Sequence, residues 1–346
     1  MPKICICGAF RLWDVPKGGQ EVKTCILANA IENKYGKVYR IDTLAKNSRI
    51  KISFQLLWAM FTCSDVIMLP AHNGLVVLSK FLTTVNKLFH RRLHYCVIGG
   101  WLQDLLPNYP IVMTALHKFT GIYVETHTMM DALCKLGYTN IFVVPNCKPL
   151  SILDTAKISM NYQQPYRLVT FSRVTEKKGI GIAADLVMKL NDKYGREVYT
   201  LDIYGPIDSG EDEEWFSNQK KHFTNAIQYR GNAPFDKSVE ILSTYFALLF
   251  PTQYYTEGIP GTIIDSYAAG IPVISSKWKS YSDVIIEGIT GIGYEFDNIS
   301  EFEKILDNII SNPAIITNLK VNCICKAKDF LPENAIKPLF KRIDNM

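Results

Sequence analysis

Short runs that are apolar almost throughout recur along the chain, and most are followed by a stretch whose apolar residues come at helical spacing. In the first half they are KICICG (3–8), VYRID (38–42), DVIMLP (65–70), LHYCVIGG (93–100), GIYVET (121–126) and IFVVPN (141–146). In the second half they are RLVTFS (167–172), YTLDIYG (199–205), IQYRG (227–231), FALLFPT (246–252) and IPVISS (271–276). A strand apolar on both faces must be covered on both faces, and intervening helices supply that cover, so the pattern predicts an α/β chain of doubly wound parallel sheets. At 346 residues, 48% of them hydrophobic, the chain exceeds what one ordinary core needs, and one such sheet is expected in each half. Residues 145–166 hold three prolines and little apolar periodicity, which marks the junction.

Sheets of this type take ligands beyond the carboxyl ends of their strands. The candidates are therefore the residues that follow strands: Gly18 and Gly19 after the first, Arg173, Lys177 and Lys178 after RLVTFS, Gly205 after LDIY, and Glu257 after LLFPT. The stretch TEGIPGTIIDSYAAGIPVI (256–274) carries two acids, Glu257 and Asp265, around Pro260 and Gly261. It predicts a helix from Thr262 to Ala269, stopped by Gly270. Thr262, Asp265, Ser266 and Ala269 then share one stripe near the helix start, where unpaired N–H groups and the dipole suit a phosphate. An acid complementing the helix dipole is the reading that needs no ligand.

The formal charge of +5 is unevenly spread: residues 1–165 hold 18 Lys and Arg against 9 Asp and Glu, and residues 166–346 hold 20 against 24. A basic first half fits an anionic partner, whether nucleic acid, an acidic membrane surface or a phosphorylated substrate. No run of uncharged apolar residues is long enough to span a bilayer, and the strand-like KICIC start does not read as a signal segment, so a cytoplasmic protein is expected. Nine cysteines with no CxxC pair, and no His at ligand spacing, predict buried reduced thiols and no metal site. The acidic run Glu211 to Glu214 reads as a solvated loop, no DxD occurs, and Gly179-Ile180-Gly181 does not complete a dinucleotide fingerprint.

In order and spacing, FSRVTEKKGI, YGP, LLFPTQYYTEGIPGTIIDSYAAGIPVIS and ITGIGYEF resemble the nucleotide-binding domain of glycosyltransferase family 4. PKGGQEVKTCILANAIENKYGKVY and VVPN in the first half are similar to that family too. The resemblance covers nearly the whole chain and implies a GT-B fold, two Rossmann-like domains with parallel sheets facing a central cleft. It implies an acceptor-side domain over 1–150, a linker over 151–166, a nucleotide-sugar-binding domain over 167–325, and a C-terminal helix, 326–346, crossing back to the first domain. The implied activity is retaining, metal-independent transfer of a hexosyl group from a nucleotide-diphosphate sugar to a hydroxyl acceptor. The acceptor would be a saccharide or a lipid-linked precursor of a surface polysaccharide, with no cofactor besides the donor and no nucleic acid as partner.

By the same resemblance Arg173 and Lys178 clamp the diphosphate, Glu257 sits by the transferred sugar, and Asp265 holds the ribose hydroxyls. Gly258, Pro260, Gly261 and Thr262 let the backbone approach sugar and phosphates, and Gly19 and Gly205 complete the donor-binding set. Fixed cations beside a leaving diphosphate are chemically apt, because that group gains negative charge as the glycosidic bond breaks. The chain departs from the family twice: Asp265 stands where Glu is commoner, and Gly99, Gly100 and Trp101 stand where many members carry a His. His72 and His127 follow strands and read as structural; the departing phosphate can itself accept the acceptor's proton. The competing functions are a nucleotide-sugar epimerase of GT-B fold and a catalytically silent nucleotide-binding partner subunit.

A membrane surface is a further candidate partner, with the protein peripheral on the inner face of the cell membrane. Read as one helix, LSKFLTTVNKLFHRRLH (78–94) places Leu78, Phe81, Leu82, Val85 and Phe89 on one stripe and Lys80, Lys87 and Arg91 on another, with Arg92 at its end.

Overall fold

The computed structural model describes residues 3–12, 18–45 and 49–345. The chain divides into two units, Met1–Pro149 with Phe330–Met346, and Leu150–Asp329.

The first unit is one six-stranded sheet, β1 (Ile4–Gly8), β2 (Tyr39–Asp42), β3 (Asp65–Leu69), β4 (Arg92–Cys96), β5 (Gly121–Val124) and β6 (Ile141–Val143). All neighbours are parallel, in the order β2-β1-β3-β4-β5-β6. One face packs on α1 (Gly19–Tyr35) and on Ile336, Leu339 and Ile343 of the C-terminal segment, which share a core with Ile6, Leu27 and Ile31. The other face is covered by α2 (Arg49–Thr62) and α3 (His72–Phe89), whose Leu56, Met60, Leu75 and Leu82 meet Cys7, Val66 and Met68.

The second unit is built the same way from β7 (Tyr166–Phe171), β8 (Tyr199–Tyr204), β9 (Ile227–Gly231), β10 (Ala247–Phe250), β11 (Val273–Ser276) and β12 (Gly291–Tyr294). Its order, β12-β11-β10-β7-β8-β9, is parallel throughout and reverses direction between β7 and β10. Such a reversal leaves a crevice at the carboxyl ends of the two strands, because the following connections diverge to opposite faces. The segment 151–166 belongs to this unit, and the Leu153 N–H donates to the Ala268 carbonyl.

Four expectations are corrected. The strand β12 went unforeseen; its sequence, GIGY, is half glycine and carries little strand propensity. The stretch 78–94 is not one helix: α3 ends at Phe89, His90 is left-handed at φ 52°, and β4 begins at Arg92. Arg91 instead donates through Nε to the Met60 carbonyl, and Arg92 pairs with Asp65 at 2.6 Å. The acidic run opens the helix Glu211–Lys220, where four carboxylates face the positive end of the dipole. Among the thiols, Cys134 and Cys325 are exposed and Cys25 is half-buried, while the other six are buried as expected.

Candidate functional site

The reversal between β7 and β10 is where the predicted cation and the predicted acid meet. After β7 the chain turns through Arg173 and a single 3-10 turn, Glu176–Lys178, into the helix Ile180–Tyr194. Gly179 makes that turn at φ +71°, and a Cβ there would stand 1.9 Å from the Pro251 carbonyl oxygen, so only glycine lets the loop lie against the end of β10. The Gln253 N–H donates to the Lys177 carbonyl and fastens the two loops together.

This placement brings the Lys178 ammonium to both carboxylate oxygens of Glu257, at 2.9 and 2.8 Å. The two side chains are 16% and 20% exposed, enough for a ligand to reach them. The Lys178 ammonium also stands over the rings of Phe250 and Tyr254, 5.4 and 5.2 Å from their centroids. Thr252 donates its hydroxyl to Glu257 Oε2 at 3.2 Å and accepts from the Tyr254 N–H, fixing the carboxylate and the loop that bears it. A cation and a carboxylate held in this way can serve an anion and a hydroxyl-rich group side by side.

The other predicted residues are placed less uniformly. Arg173 is exposed and reaches Asp208 at 3.2 Å rather than the Lys178–Glu257 pair. With Gly205, Tyr204 and Asn232 it lines a cleft of about 150 Å3 over the ends of β7 to β9. Gly205, at φ +145°, has its Cα packed on the Ser172 carbonyl, 1.8 Å from where a Cβ would stand, which gives it a structural reason independent of any ligand. Gly258 and Pro260 are buried next to Glu257. The predicted helix runs Gly261–Ala268, one residue earlier than expected, with Gly261 at its first position and Pro260 as its cap. Thr262 Oγ1, in its first turn, is buried with no hydrogen-bond partner.

Asp265 is 3% exposed and accepts a 3.0 Å hydrogen bond from Ser238. Gly19 lies in the first unit, at the start of α1, where a Cβ would meet nothing within 4 Å. Among the described residues no group of three His, Cys, Asp or Glu converges as metal ligands.

Sequence reasoning missed Thr252, Phe250 and Tyr254 as the setting of Lys178, although all three lie in the run LLFPTQYYTEG. It also missed the buried pair Lys23–Glu125, at 2.5 Å, beyond the ends of β4 and β5. There Lys23 donates to the Val97 carbonyl and Glu125 accepts from the Gly99 N–H, so a carboxylate stands beside the glycines found in place of the family's His. Lys23 and Glu125 are 102 residues apart, and no local spacing reveals them. His72 is exposed at the start of α3, edge-on to Trp101 and Tyr109, and His127 is exposed at the start of the helix His127–Lys135.

Residues 154–330, just over half of the chain, match the family described as glycosyl transferases group 1. The amylovoran biosynthesis glycosyltransferase AmsK of Erwinia amylovora is 24% identical over 161 residues, 45% of this chain; the match spans only 37% of that protein's length. An uncharacterized glycosyltransferase of Haemophilus influenzae is 24% identical over 272 residues, covering 77% of this chain and 72% of that protein. Among solved structures, that of Anabaena HepE in complex with UDP superposes with a TM-score of 0.76 at 13% identity, covering 100% of both chains. Two Rossmann-like units and this likeness make the fold GT-B. The chain belongs to the glycosyl transferases group 1 family.

Proposed function

We propose that this chain is a retaining glycosyltransferase that moves a hexosyl group from a nucleotide-diphosphate sugar to a hydroxyl acceptor. The acceptor is a saccharide or a lipid-linked precursor of a surface polysaccharide, reached from the cytoplasm at the inner face of the membrane. The reaction needs no metal and no cofactor besides the donor. The observation that carries this reading is the Lys178–Glu257 pair at the sheet reversal of the unit that matches the family.

The bond from the anomeric carbon to the diphosphate oxygen breaks, and the leaving oxygen gains negative charge while the anomeric carbon becomes electron-poor. Lys178, and Arg173 from earlier in the same loop, hold the diphosphate and stabilise the charge that grows on it. Glu257, held by Lys178 and Thr252, orients the sugar and faces the electron-poor carbon without attacking it. The acceptor oxygen bonds to that carbon on the face the diphosphate leaves, and its proton passes to the departing phosphate oxygen. Asp265, braced by Ser238, holds the ribose hydroxyls, and Gly258, Pro260, Gly261 and Thr262 admit the donor close to the backbone. Gly205 borders the donor beside Arg173.

Thermal unfolding with uridine, guanosine and adenosine diphosphates tests the reading, with uridine first because the Anabaena neighbour holds UDP. A nucleotide at a hundred times its dissociation constant stabilises the protein by about 2.7 kcal/mol. Lys178→Ala should abolish most of that stabilisation. No stabilisation by any of the three would overturn the proposal.

A further inference from the structure

The helix α2 carries large apolar side chains on two opposite sides, with Lys51, Gln55 and Thr62 along one flank between them, and only one of the two apolar sides is enclosed by protein. Leu56, Ala59, Met60 and Cys63 just beyond its end pack into the core of the first unit. On the opposite side Ile50, Phe54, Trp58 and Phe61 are 66, 67, 53 and 65% exposed, with Leu57, 36% exposed, between them. At about 100° per residue these five positions fall within an arc of roughly 100°, a continuous stripe along the helix. Trp58 and Phe61 touch, and Phe61 meets Phe89 of α3 edge-on at 6.4 Å, so the stripe is broadened by the neighbouring helix. Large exposed side chains gathered on one face mark an interaction surface.

Its charge setting selects the partner. Residues 51–103 carry five Lys and Arg and a single acid, Asp65. That acid is already engaged by Arg92 and His94. Lys51 stands exposed on α2 itself and Lys87 on the last turn of α3. At the C-terminal end of α2, Arg91 donates to the Met60 and Phe61 carbonyls, and with Lys3, Lys37 and Arg92 it lines a groove of about 990 Å3 that begins at Thr62. Over the whole first unit, 20 Lys and Arg stand against 10 Asp and Glu. A second copy of the chain would bring like charges together over this face, whereas an anionic bilayer offers hydrocarbon to the stripe and phosphate to the cations beside it.

We propose that α2 is the element by which the first unit docks on an anionic lipid surface. Ile50, Phe54, Leu57, Trp58 and Phe61 enter the interface, and Lys51, Lys87 and the basic groove meet the headgroups. The helix lies in the plane of the interface and does not cross it. The inference deepens the proposed function and rests on it for the membrane as the place of work.

The test is cosedimentation of the full chain with phosphatidylcholine vesicles, with and without phosphatidylglycerol. The wild type should bind the anionic vesicles and lose them at high salt. Phe54→Ser, Trp58→Ser and Phe61→Ser together should weaken binding roughly tenfold or more, since each removes an aromatic ring from the interface. The melting temperature and the stabilisation by UDP should stay as in the wild type, so a failed docking surface is told apart from a failed donor site. Should that variant not fold, brominated lipid gives the same information: it should quench the wild type's fluorescence and spare most of it in Trp58→Phe. Equal binding to neutral vesicles, binding unchanged in the triple variant, or quenching that survives in Trp58→Phe would each overturn the proposal. So would a dimer in lipid-free solution that the triple variant dissociates.

Discussion

Lys178 gives Glu257 two of its three ammonium N–H groups in charge-assisted hydrogen bonds, which leaves the third for an incoming diphosphate. Replacing each of the two acids proposed for the site has a distinct signature. Glu257→Gln keeps the shape and an acceptor for Lys178, and should leave nucleotide affinity nearly unchanged while turnover falls on the order of a hundredfold. Asp265→Ala should raise the Michaelis constant for donor more than it lowers turnover, because a ribose contact is made equally in ground and transition states. Steady-state kinetics with nucleotide titrations checks both, and a melting temperature lowered with kinetics intact would leave Asp265 as a brace for Ser238 alone. The acids and cations proposed for this site stood out in the sequence because they lie in recognisable runs that follow strands. The partners that set their geometry were not: Ser238 comes 27 residues before Asp265, and Asp208 follows Arg173 by 35.

Between helices and strands, the near-continuous apolar runs located eleven of the twelve strands found among the described residues, since burial on both faces leaves an unmistakable pattern. The runs overshot several strand ends, as at LHYCVIGG, where pairing stops at Cys96 and the apolar residues continue into a buried loop. The helix Lys320–Ala327 shows a feature that no pattern predicts, a lysine opening a helix in the core. Lys320 is 1% exposed, its ammonium over the Tyr162 ring and at hydrogen-bond limits, 3.4 and 3.5 Å, from the Tyr245 and Gly270 carbonyls. Burial pushes its pKa down to about 8, with Cys323 opposing the shift more weakly. The unfolded chain then binds more protons between pH 8 and the ordinary lysine value, so this residue's contribution to stability rises with pH across that window. Lys320→Met should be more stable than the wild type at pH 7 by up to about 3 kcal/mol, a gap closing towards pH 10. Urea unfolding of both proteins at the two pH values measures it, and a gap that does not narrow would show that the ammonium stays solvated.

Across the whole molecule, the second unit is continuous in sequence and the first is not. Residues 330–346 complete the first unit: Ile336, Leu339 and Ile343 are buried in its core, Lys34 pairs with Asp344 at 2.6 Å, and Phe340 packs on Tyr35. Deleting residues 330–346 exposes apolar surface whose burial is worth on the order of 5 kcal/mol or more. Calorimetry should show the first unit melting well below its normal temperature while the second unit keeps its nucleotide-induced stabilisation. A single transition shifted as a whole would mean that the units unfold together.

The same discontinuity sets the order in which the chain can acquire structure as it leaves the ribosome. Domains ordinarily fold in the order they are made. Here the earlier half emerges as a sheet with one face covered by α1 alone, and it must wait while the 180 residues from Leu150 to Asp329 are synthesised. That later stretch has all of its own core and can close first. During this interval Ile6, Leu27 and Ile31 have no C-terminal helix over them. The nascent chain is then most exposed to chaperones and to aggregation, and the arrival of residues 330–346 ends that exposure.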